Sequence, residues 1–211
     1  MTNFIPIFPL NLVVYPGEAL NLHIFEPRYK QLIAECYREK KPFGIPAVVD
    51  NKVQEYGTLV QITEITNVNE AGEMDIKTRG DKVFRILEII KEIPDKLYCG
   101  AIVNYPRNFN EVKSETVAKI IAAVRELHKL LQVSKDFKKP DEELTSYDVA
   151  HHVGLTIEEE YELLPLMEER QRMEYLRRHL VKGIPAAAQT DTLRERIQMN
   201  GHFKNLSGFE W

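Results

Sequence analysis

Cysteine is scarce in this sequence: Cys36 and Cys99 are the only two in 211 residues. Two thiols so far apart do not make the dense framework of a small secreted scaffold, and both are read as reduced. No apolar run approaches the roughly 18 residues that a bilayer helix needs. The opening Met1-Thr2-Asn3-Phe4 also has no basic segment leading into an apolar one. Membrane partners are therefore not expected, and the expected location is cytoplasmic. An excess of one charge sign is missing too, since 28 Lys and Arg stand against 32 Asp and Glu for a net charge of −4. That balance offers no electrostatic funnel and argues against nucleic acid as a partner.

The short signatures of common chemistries are absent as well. No glycine is followed by lysine and no Gly-x-Gly occurs, which excludes a Walker-type phosphate loop and a dinucleotide fingerprint. Cys-x-x-Cys, His-Glu-x-x-His and Gly-x-Ser-x-Gly do not occur either. His151-His152, with His128 and His179, is the best metal candidate. Adjacent helical residues point about 100° apart, however, so these histidines read as packed or surface residues. The run Glu158-Glu159-Glu160 reads as acids opposing a helix macrodipole. Lys40-Lys41, Lys138-Lys139 and Arg177-Arg178, with Tyr37 or Tyr175 nearby, suit phosphate contact in principle, but isolated doublets read as solvated faces. No catalytic residue, cofactor or metal is assigned.

What is present begins with strands. Leu20, Leu22 and Ile24 alternate with Asn21, His23 and Phe25, the period of a strand with one buried face. Phe43 to Val49 is a continuous apolar run, and Tyr56 to Ile65 alternates imperfectly, as a bulged strand does. Met74 to Thr78 and Val83 to Ile90 read as two strands flanking Arg79-Gly80-Asp81, where Gly80 supplies a positive φ for a turn or bulge. Leu97 to Val103 makes a sixth. Six short strands imply a closed or nearly closed sheet, because closure removes exposed edges. One helix crosses it: Pro27 suits the first helical position, and Tyr29, Leu32, Ile33 and Cys36 recur at helical spacing until Lys40-Lys41-Pro42.

After Tyr105-Pro106 the period changes to 3.6. Val117, Ile120, Ile121, Val124, Leu127, Leu130 and Leu131 predict a long helix, and Lys135 to Glu143 reads as a polar linker. Thr145-x-x-Asp148 and Thr156-x-x-Glu159 have capping-box form, so helices are expected from Ser146 and Ile157. Pro165 starts a further helix carrying Leu166, Met173, Leu176 and Leu180 to about Gly183. The organisation is thus α+β: a β-barrel domain over 1–106, a helical bundle over 107–183 and a tail over 184–211. In the tail, Leu193 and Ile197 predict one face of a short helix. Phe203, Leu206, Phe209 and Trp211 follow, dense enough to dock on the domain itself or on a neighbouring copy, or to serve as a free partner-binding tail.

Phe8-Pro9-Leu10-Asn11-Leu12-Val13-Val14-Tyr15-Pro16-Gly17, running into Leu22-His23-Ile24-Phe25-Glu26-Pro27-Arg28-Tyr29, closely resembles the opening of the Lon protease N-terminal domain. The similarity continues through Phe43-Gly44, Gly57-Thr58-Leu59, Gly80 to Arg85, Tyr147-Asp148-Val149-Ala150 and Leu163 to Leu180, covering roughly residues 4–183. Physically, Pro9 and Pro16-Gly17 bound a loop whose Leu12, Val13 and Val14 are too apolar to leave in water. These are scaffold roles, and they name no catalytic group.

The resemblance implies a PUA-like six-stranded β-barrel with a crossing helix, followed by a C-terminal helical bundle, the part of Lon that captures substrate proteins. Neither the AAA+ ATPase nor the Ser-Lys peptidase module of full-length Lon is recognisable here. The expectation is a free-standing, non-enzymatic module that binds exposed apolar segments of unfolded or partly unfolded proteins. The alternatives are an adaptor or regulator of a separate ATP-dependent protease and, from another class, an RNA-binding PUA-like protein. Candidate peptide-binding residues are Phe8, Leu12, Val13, Val14 and Tyr15, which are equally suited to simple burial.

Overall fold

The computed structural model describes residues 2–109, 111, 114–134, 137, 139–187, 195 and 197. In chain order its elements are β1 (Thr2–Pro6), β2 (Ala19–Ile24), α1 (Pro27–Glu39), β3 (Phe43–Val49), β4 (Lys52–Val68), β5 (Met74–Ile90) and β6 (Gly100–Asn104). Then follow α2 (Ser114–Leu130), α3 (Ser146–Val149), α4 (Ile157–Leu163) and α5 (Glu169–Ala187). Two compact units divide at Pro106 and Arg107.

The first unit is built on β5. Its leading half pairs with β2, its trailing half pairs with β6, and β4 lies along its other edge, all antiparallel, giving the order β1-β6-β5-β4-β3. In β2, Leu20, Leu22 and Ile24 are buried while Asn21 is exposed, as their alternation requires. All seven residues of β3 are buried. Helix α1 puts Tyr29, Leu32, Ile33 and Cys36 into the same core as Phe43, Ile45, Val60 and Ile76. It stops where Lys40 turns left-handed (φ 54°), with the Lys40 and Lys41 N–H groups returning to the Tyr37 and Cys36 carbonyls.

Two strand expectations are corrected. Met74 to Thr78 and Val83 to Ile90 are one strand, not two, and Gly80 does not have positive φ. Between Val60 and Leu59 the partner on β5 jumps from Gly80 to Lys82, so the bulge falls beside a glycine needed for another reason. A Cβ there would lie 2.3 Å from the Tyr15 carbonyl oxygen. The sixth strand is instead β1, whose five residues are too short to show a period.

The closed six-stranded barrel is corrected as well. Continuous ladders end at β1 and β3, and only isolated bridges, Ile7 to Gly44 and Leu10 to Ala47, join those edges. The Phe8 and Leu10 N–H groups reach the Gly44 and Pro46 carbonyls, and the Val48 N–H reaches that of Leu10. Pro6, Pro9 and Pro46 lie in or beside this seam, and each lacks the N–H that a ladder needs.

The second unit is helical among the described residues. Helix α2 buries Val117, Ile120, Ile121, Val124 and Leu127, and α5 buries Arg172, Met173, Leu176 and Leu180. Both capping boxes form: the Thr156 N–H donates to the Glu159 carboxylate at 2.9 Å, and the Thr145 N–H to that of Asp148 at 2.9 Å. Helix α5 starts at Glu169, four residues after Pro165. Phe109 takes the backbone first, its N–H donating to the Met167 carbonyl (2.7 Å) and its carbonyl accepting from the Glu169 N–H (2.8 Å). The helix also runs beyond Gly183, to Ala187.

Around Lys135 to Glu143 the linker expectation is corrected by Phe137. Its ring lies 6.1 Å from that of His128 and 5.2 Å edge-on from that of His152, with the Arg125 guanidinium 4.7 Å away. Ile197 is helical and fully buried. The other tail residues named from the sequence, Leu193, Phe203, Leu206, Phe209 and Trp211, lie outside the described residues.

Candidate peptide-binding groove

The residues first expected to hold a peptide are in the core. Phe8, Leu12, Val13, Val14 and Tyr15 are all at most 2% exposed. The Phe8 ring stacks on Tyr29 with centroids 3.8 Å apart, Val14 presents its carbonyl to the Thr58 hydroxyl, and the Tyr15 N–H donates to Glu18 at 2.9 Å. The placement corrects their assignment as a surface site. Three consecutive large apolar residues, Leu12 to Val14, are more stable under a sheet than on it, by roughly 1.5–3 kcal/mol for each side chain.

The histidines do not converge either. His151 Nδ1 is 2.8 Å from the Glu160 carboxylate, while His128 and His179 donate through Nε2 to the His152 and Val153 carbonyls. Among the described residues no three His, Cys, Asp or Glu side chains are placed to hold a metal. The Lys40-Lys41 doublet lines a hollow of about 460 Å³ with Tyr37. It sits at the C-terminal end of α1, where the helix dipole disfavours an anion, and Lys41 is already 2.8 Å from Glu39.

A more suitable surface lies between α2 and α5. A hollow of about 740 Å³, lined by Thr116, Ile120, Arg170, Met173, Glu174 and Arg177, adjoins one of about 270 Å³ lined by Lys119, Ala123, Leu180 and Val181. Thr116, Ile120 and Arg177 belong to both, so the two form one groove. Its position follows from helical spacing: Thr116, Ile120 and Ala123 share one face of α2, and Arg170, Glu174, Arg177 and Val181 share one face of α5. The floor is apolar, with Ile120, Met173 and Leu180 almost fully covered, while Val181 stands 61% exposed.

Charges form the rim. Arg177 and Arg178 both bond Glu174, at 2.7 and 2.9 Å, and hold its carboxyl down at about 2, while Glu174 in turn raises Arg177. On α2, Lys119 pairs with Glu115 at 2.7 Å. Among the described residues no nucleophile with a partnering base lies in the lining. The arrangement suits chemistry-free binding, with apolar side chains entering and the rim sorting charge.

The sequence carries a faint signal of this groove. In Leu180-Val181 only Leu180 continues the buried stripe of α5, so Val181 is an apolar residue on a face otherwise occupied by Arg170, Glu174 and Arg177.

The groove thus joins an apolar floor to a charged rim. Residues 5–182 match the family of the ATP-dependent protease La (LON) substrate-binding domain, and the chain belongs to that family. Two solved structures share the fold. One is a Lon N-terminal domain protein from Xanthomonas campestris, 24% identical with a TM-score of 0.63 over 83% of this chain and 98% of that one. The other is the N-terminal domain of the Mycobacterium avium complex Lon protease, 15% identical with a TM-score of 0.63 over 85% and 98%. No helix among the described residues is long and apolar enough to cross a membrane.

Proposed function

We propose that the chain is a non-enzymatic, cytoplasmic protein-binding module that captures exposed apolar segments of unfolded or partly unfolded proteins in the α2–α5 groove. Membership of a substrate-binding family supports protein recognition in general. The observation that carries the particular site is Val181, an exposed apolar residue continuing a covered apolar floor inside a charged rim. Seating one leucine there removes enough apolar surface to contribute roughly 1.5–3 kcal/mol. Weak, repeated contacts of that size suit a reader of many sequences rather than one.

The first unit serves as scaffold in this reading, an open PUA-like sheet whose edges meet only through isolated bridges. The aromatic tail remains a candidate docking element, on its own domain or on a second copy. Delivery to a separate ATP-dependent protease, the adaptor role, is compatible with the same groove. An apolar floor and a basic doublet at the wrong end of a helix dipole give RNA binding less support.

The test is capture of a permanently unfolded, reduced and alkylated protein, followed by fluorescence anisotropy, with its folded form as control. Val181→Asn is nearly neutral for an exposed helix position. It should weaken capture several-fold while leaving circular dichroism and the thermal midpoint unchanged. Undiminished capture would remove the groove from the proposal. ATP hydrolysis or casein cleavage by the pure protein would remove the non-enzymatic reading.

A further inference from the structure

Charge along the groove is biased toward the positive, which bears on what it selects. Lys119, Arg170 and Arg177 line the groove against Glu111 and Glu174, and Arg178 and Lys182 stand exposed beside it on α5. Glu174 is already engaged by both Arg177 and Arg178. Arg177 uses Nε and Nη2 for that bond, so among the described residues its Nη1 is left over. Arg170 has no ion pair among the described residues. Opposing them, Glu111 lines the larger hollow only. This local excess of positive charge belongs to a chain whose net charge is −4, so it is a feature of the groove and not of the composition.

Resting on the reading of the groove as a capture site, we propose that it selects polypeptide segments in which an apolar side chain is flanked by carboxylates. The apolar group enters beside Ala123 and Val181, and the carboxylates are held by Arg170 and Arg177. A guanidinium offers a planar fork of donors that matches a carboxylate, and its like-charge repulsion turns away lysine-rich segments. Spacing refines the match. Arg170 and Arg177 are seven residues apart, about 10.5 Å along the helix, and Val181 lies about 6 Å further. In an extended peptide the side chains on one face recur every two residues, about 7 Å, so the nearest matching intervals are four and two residues, the long arginine side chains taking up the difference. The favoured pattern is therefore acid, three residues, acid, one residue, then an apolar side chain.

Fluorescein-labelled synthetic peptides with two glutamates and a leucine in that pattern, and the same peptides with glutamine or lysine replacing glutamate, test this by anisotropy with the full chain. At low salt the glutamate probe should bind about fivefold tighter than the glutamine probe, as two exposed charge pairs permit. The preference should shrink at high salt. Arg170→Glu, on an exposed position, should place the lysine probe ahead of the glutamate probe.

Equal binding of the glutamate and glutamine probes, with Val181→Asn still weakening capture of unfolded protein, would overturn the charge selection and leave the groove reading standing. Unchanged capture by Val181→Asn would overturn both. A dimer that Val181→Asn dissociates would make a second copy the occupant, and probe binding seen only in Trp211→Ala would make it the chain's own tail; either overturns the proposal.

Discussion

The guanidinium of Arg172 lies 2.8 Å from the carboxylate of Glu169, and both side chains are almost completely shut off from water. The pair is the hub of a closed network. Ser146 donates its N–H and hydroxyl to Glu169 at 2.7 and 2.6 Å, and Arg172 donates to the Asn108 side chain at 3.0 Å and the Leu166 carbonyl at 2.5 Å while lying 4.2 Å from the Tyr147 ring centre. The network joins the stretch before α2, the start of α3 and the start of α5.

A buried pair of this kind is costly to break from one side. Arg172→Met leaves a carboxylate buried without its cation and should lower unfolding free energy by about 3–5 kcal/mol. Urea denaturation checks this. The double variant Arg172→Met with Glu169→Leu should recover only part of the loss, because the Ser146 N–H and hydroxyl then lose their acceptor. Full recovery would mean that the Ser146 bonds contribute nothing net.

Gly80 is required by proximity, not by its dihedrals. Its N–H donates to the Glu18 carbonyl at 2.8 Å, its carbonyl accepts from Gly17 at 2.9 Å, and the Tyr15 carbonyl occupies the place of a side chain. Gly80→Ala should therefore cost about 1–3 kcal/mol by forcing backbone apart. Gly72→Ala is the contrast: its φ of 72° is strained for alanine but nothing lies within 4 Å. Its loss should be about 1–2 kcal/mol, with no change in the tyrosine near-ultraviolet signal that Gly80→Ala disturbs.

What the sequence discloses depends on how local the cause is. Helix α1 is legible because Pro27, the spacing from Tyr29 to Cys36 and the stop at Lys40 all act within one element. The α4 start is legible for the same reason, since Thr156 and Glu159 satisfy each other. Gly80 is misread because a glycine that opens a turn and a glycine that admits a distant carbonyl look alike in one dimension. Burial of the 8–15 loop is legible from its apolarity, but its alternative as a peptide site can be set aside only with β3, α1 and Thr58 in place around it. The groove is the least legible, because its two faces lie about fifty residues apart in sequence.

Glu35 gives the first unit a pH dependence of defined sign. Burial pushes its carboxyl up, but hydrogen bonds from Lys96 (2.7 Å), Tyr98 (2.5 Å) and Gln31 (3.2 Å) outweigh that and hold it below its ordinary value of 4.5. A depressed carboxyl binds fewer protons folded than unfolded. Its stabilisation is thus complete above the unfolded value and is lost as pH falls through the folded one. Glu35→Gln should cost about 1–2 kcal/mol at neutral pH. The difference from the parent should shrink steadily below about pH 4.5. A difference that is constant from pH 7 to pH 3 would show that the charge on Glu35 does not stabilise the fold.

Phe137 carries the last prediction, because it decides whether the stretch between α2 and α3 behaves as a linker. Composition alone predicts rapid cutting there, since lysines and acids offer little to anchor a chain. The structure supplies anchors that composition hides. Phe137 sits against His128 and His152 under the Arg125 guanidinium, Arg125 reaches Asp141 at 2.7 Å, and Lys139 reaches Asp148 at 2.7 Å. The two ion pairs are partly exposed and contribute little by themselves, so the ring contacts dominate. Trypsin should cut between Lys138 and Lys139 slowly in the parent protein, through transient opening of this stretch. Phe137→Ala should raise the rate at that bond about tenfold or more, equivalent to losing about 1.4 kcal/mol of local stability. Raising salt should accelerate the parent only slightly, because screening touches the ion pairs and not the ring. Mass spectrometry of timed digests reads both effects, and equally fast cutting of the two proteins between Lys138 and Lys139 would show that Phe137 does not hold this stretch in place.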